Sequence, residues 1–561
     1  NSPCPLPGNF SQWGGWVATK KKGAFSMRKA FKKLLASLLA LAMVCALAAP
    51  VFAATTEDLN SHTFEVYQVF TGDVATVGTK PKTKLSNAKW GDGVDSGALL
   101  AALAGATFEN TAFNTTMTPA EVVKAMENSF YDYDADNINT LTFARLAYAN
   151  KASAGKNTKV SVTNNSITFN EAGYYLIVDT TKPPLNMDLS RNVSVLYLAK
   201  AGENITVKDK IAKPTVKKEV QTTTDAGGPV YDTSANHAVN DPFLFKLTAT
   251  LDATRDSAYQ HYTTYPIVFT DSLPKGISFD ELVSVKAFNE YTALNSELDP
   301  SAYTLDKSHL NDENPFFTLT IKDLKNIKGM FSLPAMINAR IEVLYKAHLN
   351  ENADFSNQAS TKITNTNKVT LTYPADPMDQ DAFSGVTPES VVYVASYKVE
   401  NTKYADNEKT GKPLAGAEFK LYTDATCSAD KEVKLYKYTD GNYYPINSAT
   451  GKTEATMVSA DTTGKFNICG LGTGTYYLKE TKAPDGYNTC DLIEIRIIAP
   501  LTGDTVDLTN AKGMVNNIVD HSGVVLPSTG GMGTTLFYVI GGLLMVGAAV
   551  LLVTKKRMEN N

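Results

Sequence analysis

The segment Gly474-Thr-Tyr-Tyr-Leu-Lys-Glu-Thr-Lys-Ala-Pro-Asp-Gly-Tyr487 begins with Thr and Tyr, residues that favour β-strands. Side chains two positions apart in a strand point to the same side of a sheet. Tyr476 and Leu478 therefore predict a buried face, and Glu480 lies on that same face. The segment predicts a strand of a β-sandwich that directs a carboxyl group into the core.

The composition of the chain supports a mainly β architecture. Its 561 residues are 43% hydrophobic and 20% charged, which is typical of globular proteins and sufficient for three or four domains. The 27 Tyr and 24 Phe residues favour half-buried sheets. The formal net charge of -5 comes without a block of like charge outside the termini, so we expect no nucleic-acid partner.

The N-terminal region has the pattern of an export signal that starts at an internal methionine. Residues 1–26 match no targeting signal, and we expect them to reflect a mis-set translation start. Residues 27–53 follow with a basic start, an apolar stretch over Leu34–Leu47 and small residues before Ala54, which is typical of a signal peptide. The alternative, a first membrane helix, is disfavoured because the apolar run is shorter than the ~20 residues a span needs.

The C-terminal segment 522–561 combines three features in a fixed order. These are Leu526-Pro-Ser-Thr-Gly530, an apolar span over 536–553 and the basic triplet Lys555-Lys-Arg557. The span is long enough to cross a membrane, and the basic triplet predicts that everything upstream is outside the cell. Pro527 fixes its own φ and favours an extended Leu526, which suits a peptide that threads into a groove. An accidental pentapeptide on a membrane stalk is the alternative.

This combination resembles the sorting signal of sortase substrates in Gram-positive bacteria. The resemblance implies that a membrane transpeptidase attacks the Thr529 carbonyl through a Cys thiolate and releases Gly530–Asn561. The acyl group then passes to an amine, either on the peptidoglycan precursor or on another subunit. Contact with the membrane would be transient, and the mature protein would reside on the cell wall.

Between the signals we predict three domains and one linker. In the first of these domains, Tyr67–Gly72 and Ala88–Gly93 resemble the N-terminal region of fimbrial proteins. Thr118-Pro-Ala-Glu121 predicts a helix start with a cap, a first-turn proline and an acid. The boundaries are 54–210 for a mixed α/β domain, 211–373 for a β-sandwich, 374–388 for a Pro- and Asp-containing linker, and 389–521 for another β-sandwich.

The last domain resembles a known module. Its segments Gly411–Tyr422 and Gly474–Tyr487 look like the B-type repeat of collagen adhesins and the C-terminal domain of pilins, with Glu480 at the centre of the motif called the E-box. The resemblance implies a sortase-assembled pilin with tandem immunoglobulin-like β-sandwiches behind a mixed α/β domain. It also implies that a Lys and an Asn in such domains form an autocatalytic isopeptide bond.

Strand phase in the second domain places three polar groups in the core. Lys218 shares a face with Val216 and Val220, Asp271 with Ile267 and Phe269, and Asn367 with Val369, Leu371 and Tyr373. Burial favours a neutral amine and a protonated acid. Such an amine can attack a polarised carboxamide and release ammonia, which is the cross-linking chemistry of the family it resembles. A hydrogen-bonded ion pair or a solvated lysine is the alternative.

The same reasoning gives a second set in the last domain. Lys398 is in phase with Val392 and Val394, Glu480 supplies the acid, and Asn517 is in phase with Val515 and Val519. The acceptor stays open between Asn517, Asn516 and Asp520, because a register change of one residue alters the answer.

Polymerisation would require a surface lysine that receives the Thr529 carbonyl of another subunit. Backbone pilins carry this lysine in a Tyr-Pro-Lys context, and the corresponding stretch here, Ile205–Lys213, lacks Tyr-Pro. Lys210 aligns best, with Lys208 and Lys213 as alternatives. If all are ordinary strand lysines, the protein would be a solitary wall-linked adhesin or a terminal subunit.

The remaining chemistry-bearing residues do not predict an enzyme. His-Glu-x-x-His, phosphate-loop and Gly-x-Ser-x-Gly motifs are absent from the sequence, and Cys469 has no recognisable His partner. We expect no cofactor or metal. The mature chain keeps Cys427, Cys469 and Cys490, so at most one disulfide can form within it. Host or neighbouring-cell ligands are conceivable partners, but the sequence identifies none.

Overall fold

The computed structural model describes eleven ranges of the chain. The extension 1–26, the signal peptide 27–53 and the pentapeptide Leu526–Gly530 lie outside them, so the predictions made for those segments stay predictions. The described ranges are 59–77, 82–129, 138–182, 190–225, 228–251, 256–331, 339–355, 362–378, 384–446, 454–523 and 533–559.

The first part of the chain combines helices with two small sheets. One sheet has the strand order β2-β1-β5-β6 and the other β3-β4-β7. The predicted helix start is confirmed, because Glu121 Oε2 accepts a hydrogen bond from Thr118 N at 2.8 Å and the helix begins at Pro119. The elements are β1 Phe64–Val77, β2 Lys82–Trp90, α1 Ser96–Gly105, α2 Pro119–Ser129, α3 Ile138–Ala149, β3 Val160–Thr163, β4 Ser166–Phe169, β5 Gly173–Asp179, β6 Val195–Ala199 and β7 Asn204–Thr206.

The second part is a β-sandwich made of two facing sheets. Their orders are β14-β13-β17-β11-β8-β9 and β10-β20-β18-β12-β16-β15, with β19 paired to β18. Buried and half-buried residues alternate along β11, β17 and most of β18, and the buried ones fill the space between the sheets. The elements are β8 Thr215–Asp225, β9 Gly228–Asp232, β10 Ser234–Asn236, β11 Phe243–Thr250, α4 Asp256–Gln260, β12 Ile267–Ser272, β13 Ile277–Asn289, β14 Leu294–Glu297, β15 Tyr303–Asp306, β16 Phe316–Ile321, β17 Arg340–Leu349, β18 Thr366–Pro374, β19 Ser384–Val386 and β20 Ser390–Ala395.

A smaller β-sandwich follows. Its sheets have the orders β24-β25-β27-β21-β32 and β23-β22-β28-β29, and β26 pairs with β22. The first and last long strands, β21 and β32, lie side by side and run parallel. The elements are β21 Tyr397–Ala405, β22 Glu418–Tyr422, β23 Glu432–Val433, β24 Tyr436–Lys437, β25 Tyr443–Tyr444, β26 Met457–Val458, β27 Ile468–Leu471, β28 Gly474–Lys482, β29 Ile493–Ile497, β30 Leu501–Thr502, β31 Thr505–Val506 and β32 Val515–Asp520.

The passage between the two sandwiches changes the phase of the chain. Strand β20 still belongs to the larger sandwich, where it pairs with β10 and β18. Three successive residues, Ala395, Ser396 and Tyr397, are all buried before β21 begins its own alternation. Counting every second residue from Val392 and Val394 therefore no longer gives the inward-facing residues once β21 has begun.

The chain ends in helix α5, Gly533–Met558, whose last turn carries Lys555, Lys556 and Arg557. Its segment Phe537–Met558 is long and apolar enough to cross a membrane. The side chains that are described along it are mostly exposed, as expected for a helix that is solvated by lipid before processing.

Candidate functional site

The first candidate site, in the second domain, lies in the core of the larger sandwich and includes the inward-facing lysine of β8. Lys218 is completely buried between the sheets, while its neighbour Lys217 points outward and pairs with Glu219 at 2.7 Å. Asp271 on β12 and Asn367 on β18 come from the opposite sheet and are also completely buried. The structure thus brings together the three residues that the alternation predicted, with the amine on one sheet and both carbonyl groups on the other.

The side chains meet around one hydroxyl group. Lys218 Nζ contacts the Asp271 carboxylate directly and donates to Tyr345 Oη at 2.9 Å. Tyr345 Oη lies 3.1 Å from Asp271 Oδ1 and 2.6 Å from Asn367 Nδ2. Sequence analysis missed Tyr345, because an inward tyrosine on an alternating strand is indistinguishable from an ordinary core aromatic residue.

Aromatic rings make this centre apolar apart from those groups. Lys218 Nζ lies 4.8 Å from the centroid of the Phe245 ring. Burial lowers the pKa of Lys218 to about 8, although the carboxyl group of Asp271 opposes the shift. Burial also raises the pKa of Asp271 above its ordinary value. Both shifts favour the neutral pair, a free amine beside a protonated acid.

The third-domain centre contains Lys403, Glu480 and Asp520. The Lys403 and Asp520 side chains are completely buried and in direct contact, and Lys403 Nζ lies 3.3 Å from Glu480. Lys403 and Asp520 come from the neighbouring strands β21 and β32, whereas Glu480 reaches them from β28 on the facing sheet. Glu480 points into the core, as the alternation of its strand predicted.

Two predicted members of this centre are wrong. The side chain of Lys398 is 27% exposed and pairs with Glu400 at 3.0 Å, because the phase changes between β20 and β21. Asn517 is exposed on β32, since Ile518 and Asp520 carry the inward face of that strand. Asn516 donates to Asn401 Oδ1 at 3.0 Å. Of the acceptors left open by the sequence, the structure places Asp520 beside a buried lysine.

The acid of this centre is held in place by its backbone surroundings. Cys490 N donates to Glu480 Oε2 at 2.7 Å. Burial raises the pKa of Glu480, and it raises the pKa of the Cys490 thiol to about 12. The ring of Phe419 lies 5.1 Å from Lys403 Nζ and completes an apolar wall. The centre therefore places the Lys403 side chain beside two carboxyl groups in a buried site.

Glu480, Cys490 and Asp520 also form the one set of potential metal ligands found among the described residues. Their ligand atoms lie within 4.8 Å of one another. The ammonium or amine group of Lys403 contacts both carboxyl groups and so takes the position that a cation would need. The geometry therefore suits chemistry between the lysine and a carboxyl group better than metal binding.

The three candidate acceptor lysines lie just before the first strand of the larger sandwich, β8. Asn192 fixes this segment, because its Oδ1 accepts from Lys210 N at 2.5 Å and its Nδ2 donates to Lys208 O at 3.1 Å. Asn192 N in turn donates to the buried Asp179 at 2.7 Å. Lys208 is exposed, while Lys210 and Lys213 are half-buried. The Lys210 backbone is held from both sides, since Val193 N also donates to Lys210 O at 3.2 Å.

Two family models match the chain. Residues 398–512 match a prealbumin-like fold domain, and residues 519–560 match the LPXTG cell wall anchor motif. The first match covers most of the smaller sandwich, and the second covers the C-terminal signal with helix α5. A comparison with curated proteins gave no match.

Solved structures with a similar arrangement include several pilins. The T6 backbone pilin of Streptococcus pyogenes serotype M6 is 13% identical over 84% of this chain and 98% of its own, with a TM-score of 0.43. The full-length major pilin SpaD of Corynebacterium diphtheriae is 16% identical over 82% and 93%, with a TM-score of 0.40. A C-terminal fragment of the major pilin GBS80 of Streptococcus agalactiae is 21% identical over 55% and 100%, with a TM-score of 0.37.

The anchor motif and the apolar helix with its basic end define a cell-wall-anchored surface protein. The β-sandwiches ahead of the anchor include the prealbumin-like fold domain, in which Glu480 points into the core. The B-type collagen-adhesin assignment of the last domain stays a prediction.

Proposed function

We propose that the chain is a shaft subunit of a covalently polymerised pilus, with a structural rather than an enzymatic role. Sortase would join Thr529 of one subunit to a lysine of the next, and the last subunit to peptidoglycan. The observation that supports this proposal is the pair of buried lysine centres ahead of a wall anchor. Internal cross-links suit a protein that must bear tension with its three mature cysteines unpaired.

In the second domain, the proposed reaction joins Lys218 to Asn367. The neutral Lys218 amine attacks Cγ of Asn367 while protonated Asp271 donates to the carboxamide oxygen. The C–N bond to the new nitrogen forms, the bond to Nδ2 breaks, and ammonia leaves. Burial of all three groups supports this assignment, because it lowers the pKa of the amine and so raises the fraction of Lys218 that is neutral and able to attack.

In the third domain, the acceptor would be a carboxyl group. Lys403 attacks Cγ of Asp520, Glu480 acts as the acid, and water leaves in place of ammonia. The contacts among these side chains support this proposal, as does the raised pKa of Glu480. The bond would link neighbouring strands, whereas the bond in the second domain would link two sheets.

Each cross-link would close a long loop. Lys403 and Asp520 are 117 residues apart, and the loop-entropy relation gives about 5 kcal/mol of stabilisation for a closure of this length. The loop between Lys218 and Asn367 is longer still, and its closure is worth about the same. Stability of this size is comparable with that of a whole small domain.

For polymerisation we favour Lys210 as the acceptor. The contacts of Asn192 and Val193 hold its backbone, which presents its side chain in a defined direction. Lys208 and Lys213 are the matched alternatives within the same segment. A solitary adhesin is the second candidate function, since this segment lacks the Tyr-Pro of backbone pilins. Adhesion to host or neighbouring-cell ligands would follow from either assembly.

The polymer is tested by immunoblotting wall extracts from cells that express the full chain. A high-mass ladder is expected for the wild type, Lys208→Ala and Lys213→Ala, and its loss for Lys210→Ala. An unchanged ladder in Lys210→Ala would reject that lysine. A single band in every strain would favour the solitary adhesin.

A further inference from the structure

The Tyr345 hydroxyl is the point where the second-domain centre converges. Its oxygen lies 2.9 Å from Lys218 Nζ and 2.6 Å from Asn367 Nδ2, and it donates to Asp271 Oδ1 at 3.1 Å. It therefore contacts the attacking atom, the leaving atom and the acid at the same time. These contacts come from β17, which faces the two strands that carry the acid and the carboxamide.

Packing alone does not account for a hydroxyl group at this position. The Tyr345 ring packs against three phenylalanines, with centroid distances of 5.1 Å to Phe245, 5.5 Å to Phe279 and 5.1 Å to Phe317. A phenylalanine would supply the same ring contacts without burying a polar group, which costs free energy unless it is hydrogen-bonded. All hydrogen bonds described for the hydroxyl go to members of the reaction centre.

The proposed cross-link leaves a proton-transfer problem. After attack, Lys218 Nζ carries an extra proton, and Asn367 Nδ2 must gain one before it can leave as ammonia. Asp271 is engaged with the carboxamide oxygen during this step. The Asn367 Oδ1 atom has no hydrogen-bond partner among the described residues, which leaves it open to receive that donor.

We propose that Tyr345 is a catalytic residue of this cross-link, relaying a proton from Lys218 Nζ to Asn367 Nδ2. This inference rests on the proposed bond between Lys218 and Asn367. It assigns a fourth participant to the reaction and connects the two nitrogen atoms through a single oxygen.

The relay balances in atoms and charge. Once the amide carbon is tetrahedral, the Nδ2 lone pair is available, and rotation about the phenol C–O bond turns the hydroxyl proton from Asp271 toward it. The oxygen takes a proton from Nζ as it releases its own to Nδ2. The C–Nδ2 bond then breaks, ammonia departs, and Tyr345 is regenerated with its proton.

The electrostatics of the site agree with a neutral relay. Burial and the neighbouring carboxyl group of Asp271 keep the pKa of Tyr345 well above its ordinary value of 10.0. The hydroxyl therefore holds its proton until another arrives and does not act as a phenolate base. At the third-domain centre the aromatic neighbour of Lys403 is Phe419, which has no hydroxyl group to relay a proton. We therefore assign the relay only to the centre whose acceptor is a carboxamide.

The experiment follows bond formation in the full chain. The protein is kept unfolded in denaturant, so that the bond does not form before the measurement. It is then diluted into detergent buffer to fold, and samples are quenched at intervals and digested. Mass spectrometry then quantifies the peptide pair joined through Lys218 and Asn367. Tyr345→Phe retains the ring and removes the hydroxyl. Tyr265→Phe is the matched control, because Tyr265 is equally buried in the same domain and its hydroxyl has no hydrogen-bond partner among the described residues.

We expect Tyr345→Phe to slow this bond roughly 100-fold, a typical effect of losing a positioned proton donor and acceptor. Tyr265→Phe should react at the wild-type rate. In the Tyr345→Phe chain, the bond between Lys403 and Asp520 should also form at the wild-type rate. Equal rates at Lys218 in the wild type and Tyr345→Phe would overturn the relay. Absence of the joined peptides in the wild type would instead overturn the cross-link itself.

A second measurement does not depend on how the variant folds. The relay moves two protons in one step, so formation of the Lys218–Asn367 bond in wild-type chain should slow more in D2O than formation of the Lys403–Asp520 bond in the same sample. Equal isotope effects at the two centres would contradict the relay.

Discussion

Val239 of the larger sandwich and Gly470 of the smaller one are joined by a backbone hydrogen bond, in which Val239 N donates to Gly470 O at 2.9 Å. Gly470 has φ +87°, and a Cβ built on it would lie 2.7 Å from Val239 Cγ1. The two sandwiches therefore meet at a position that suits only a glycine.

Gly470→Ala should weaken this junction. Left-handed backbone strain and the clash with Val239 together predict a loss of about 2–4 kcal/mol in the free energy of unfolding. Gly441→Ala is the control, because Gly441 has φ +83° and nothing within 4 Å of its added Cβ. It should cost only about 1 kcal/mol. Calorimetry of the two variants separates strain from clash, and equal losses would contradict the packing argument.

Lys403→Ala should remove the third-domain cross-link, while Lys398→Ala should leave it intact. The reason is that Lys403 contacts Asp520 in the core, whereas Lys398 pairs with Glu400 near the surface. Intact mass is the measurement: Lys398→Ala keeps the loss of one water relative to its sequence, and Lys403→Ala does not. Loss of the bond should also cost about 5 kcal/mol of stability. A water loss that persists in Lys403→Ala would reject this lysine.

Asp520→Asn offers a chemical test of the acceptor. If the bond forms, the variant expels ammonia where the wild type expels water, and both chains reach the same final mass. Asp520→Ala has no acceptor in this domain, so its mass should fall below that of its sequence only by the ammonia lost at the bond between Lys218 and Asn367. Asn517→Ala should react like the wild type, because Asn517 is exposed. A normal bond in Asp520→Ala would show that the acceptor is another residue.

The pH dependence of the second-domain bond follows from the pKa shifts. Lys218 reacts as a free amine, so the rate should fall as the pH drops below the folded-state pKa of about 8. The pKa of Asp271 is raised, and the reaction needs its protonated form, so the rate should also decline at high pH. The bond-formation rate of chain that is kept unfolded until the start of the measurement and then folded at a series of pH values should therefore follow a bell-shaped profile. A rate that is flat with pH would argue against a free amine and an acid acting together.

The mature cysteines should differ sharply in reactivity. Burial raises the pKa of Cys469 to about 11 and that of Cys490 to about 12, which keeps both thiols protonated at neutral pH. Cys427 lies in a partly exposed turn. An alkylating reagent should label Cys427 within minutes and the other two only in denaturant. Fast labelling of Cys490 in the folded chain would contradict the closed third-domain centre.

The three polar residues of the second-domain centre could be predicted from the sequence, because inward and outward side chains alternate regularly around each of them. Burial alternates along β12 and β18, so neighbouring apolar residues located Asp271 and Asn367 correctly. The same method failed for Lys398, because Ala395, Ser396 and Tyr397 are buried in succession where the chain passes between sandwiches.

The rest of each centre depends on tertiary packing. Phase alone cannot show which of several inward groups meet, and Tyr345 comes from a strand more than 120 residues after Lys218. At the third centre, Asn401, Thr402 and Lys403 are consecutive buried residues, a pattern that obscures the inward face of β21. Only the pairing of β21 with β32 identifies Asp520 as the neighbour of Lys403.

The parallel pairing of β21 and β32 also sets how tension would enter the third domain. The chain arrives at the start of β21 and leaves toward the wall from the end of β32. Pulling on those two points slides the strands past each other, so all hydrogen bonds between them are loaded together rather than one after another. A bond from Lys403 to Asp520, which are 117 positions apart, would exclude the residues between them from extension. A pilus built of such subunits would therefore lengthen very little under tension.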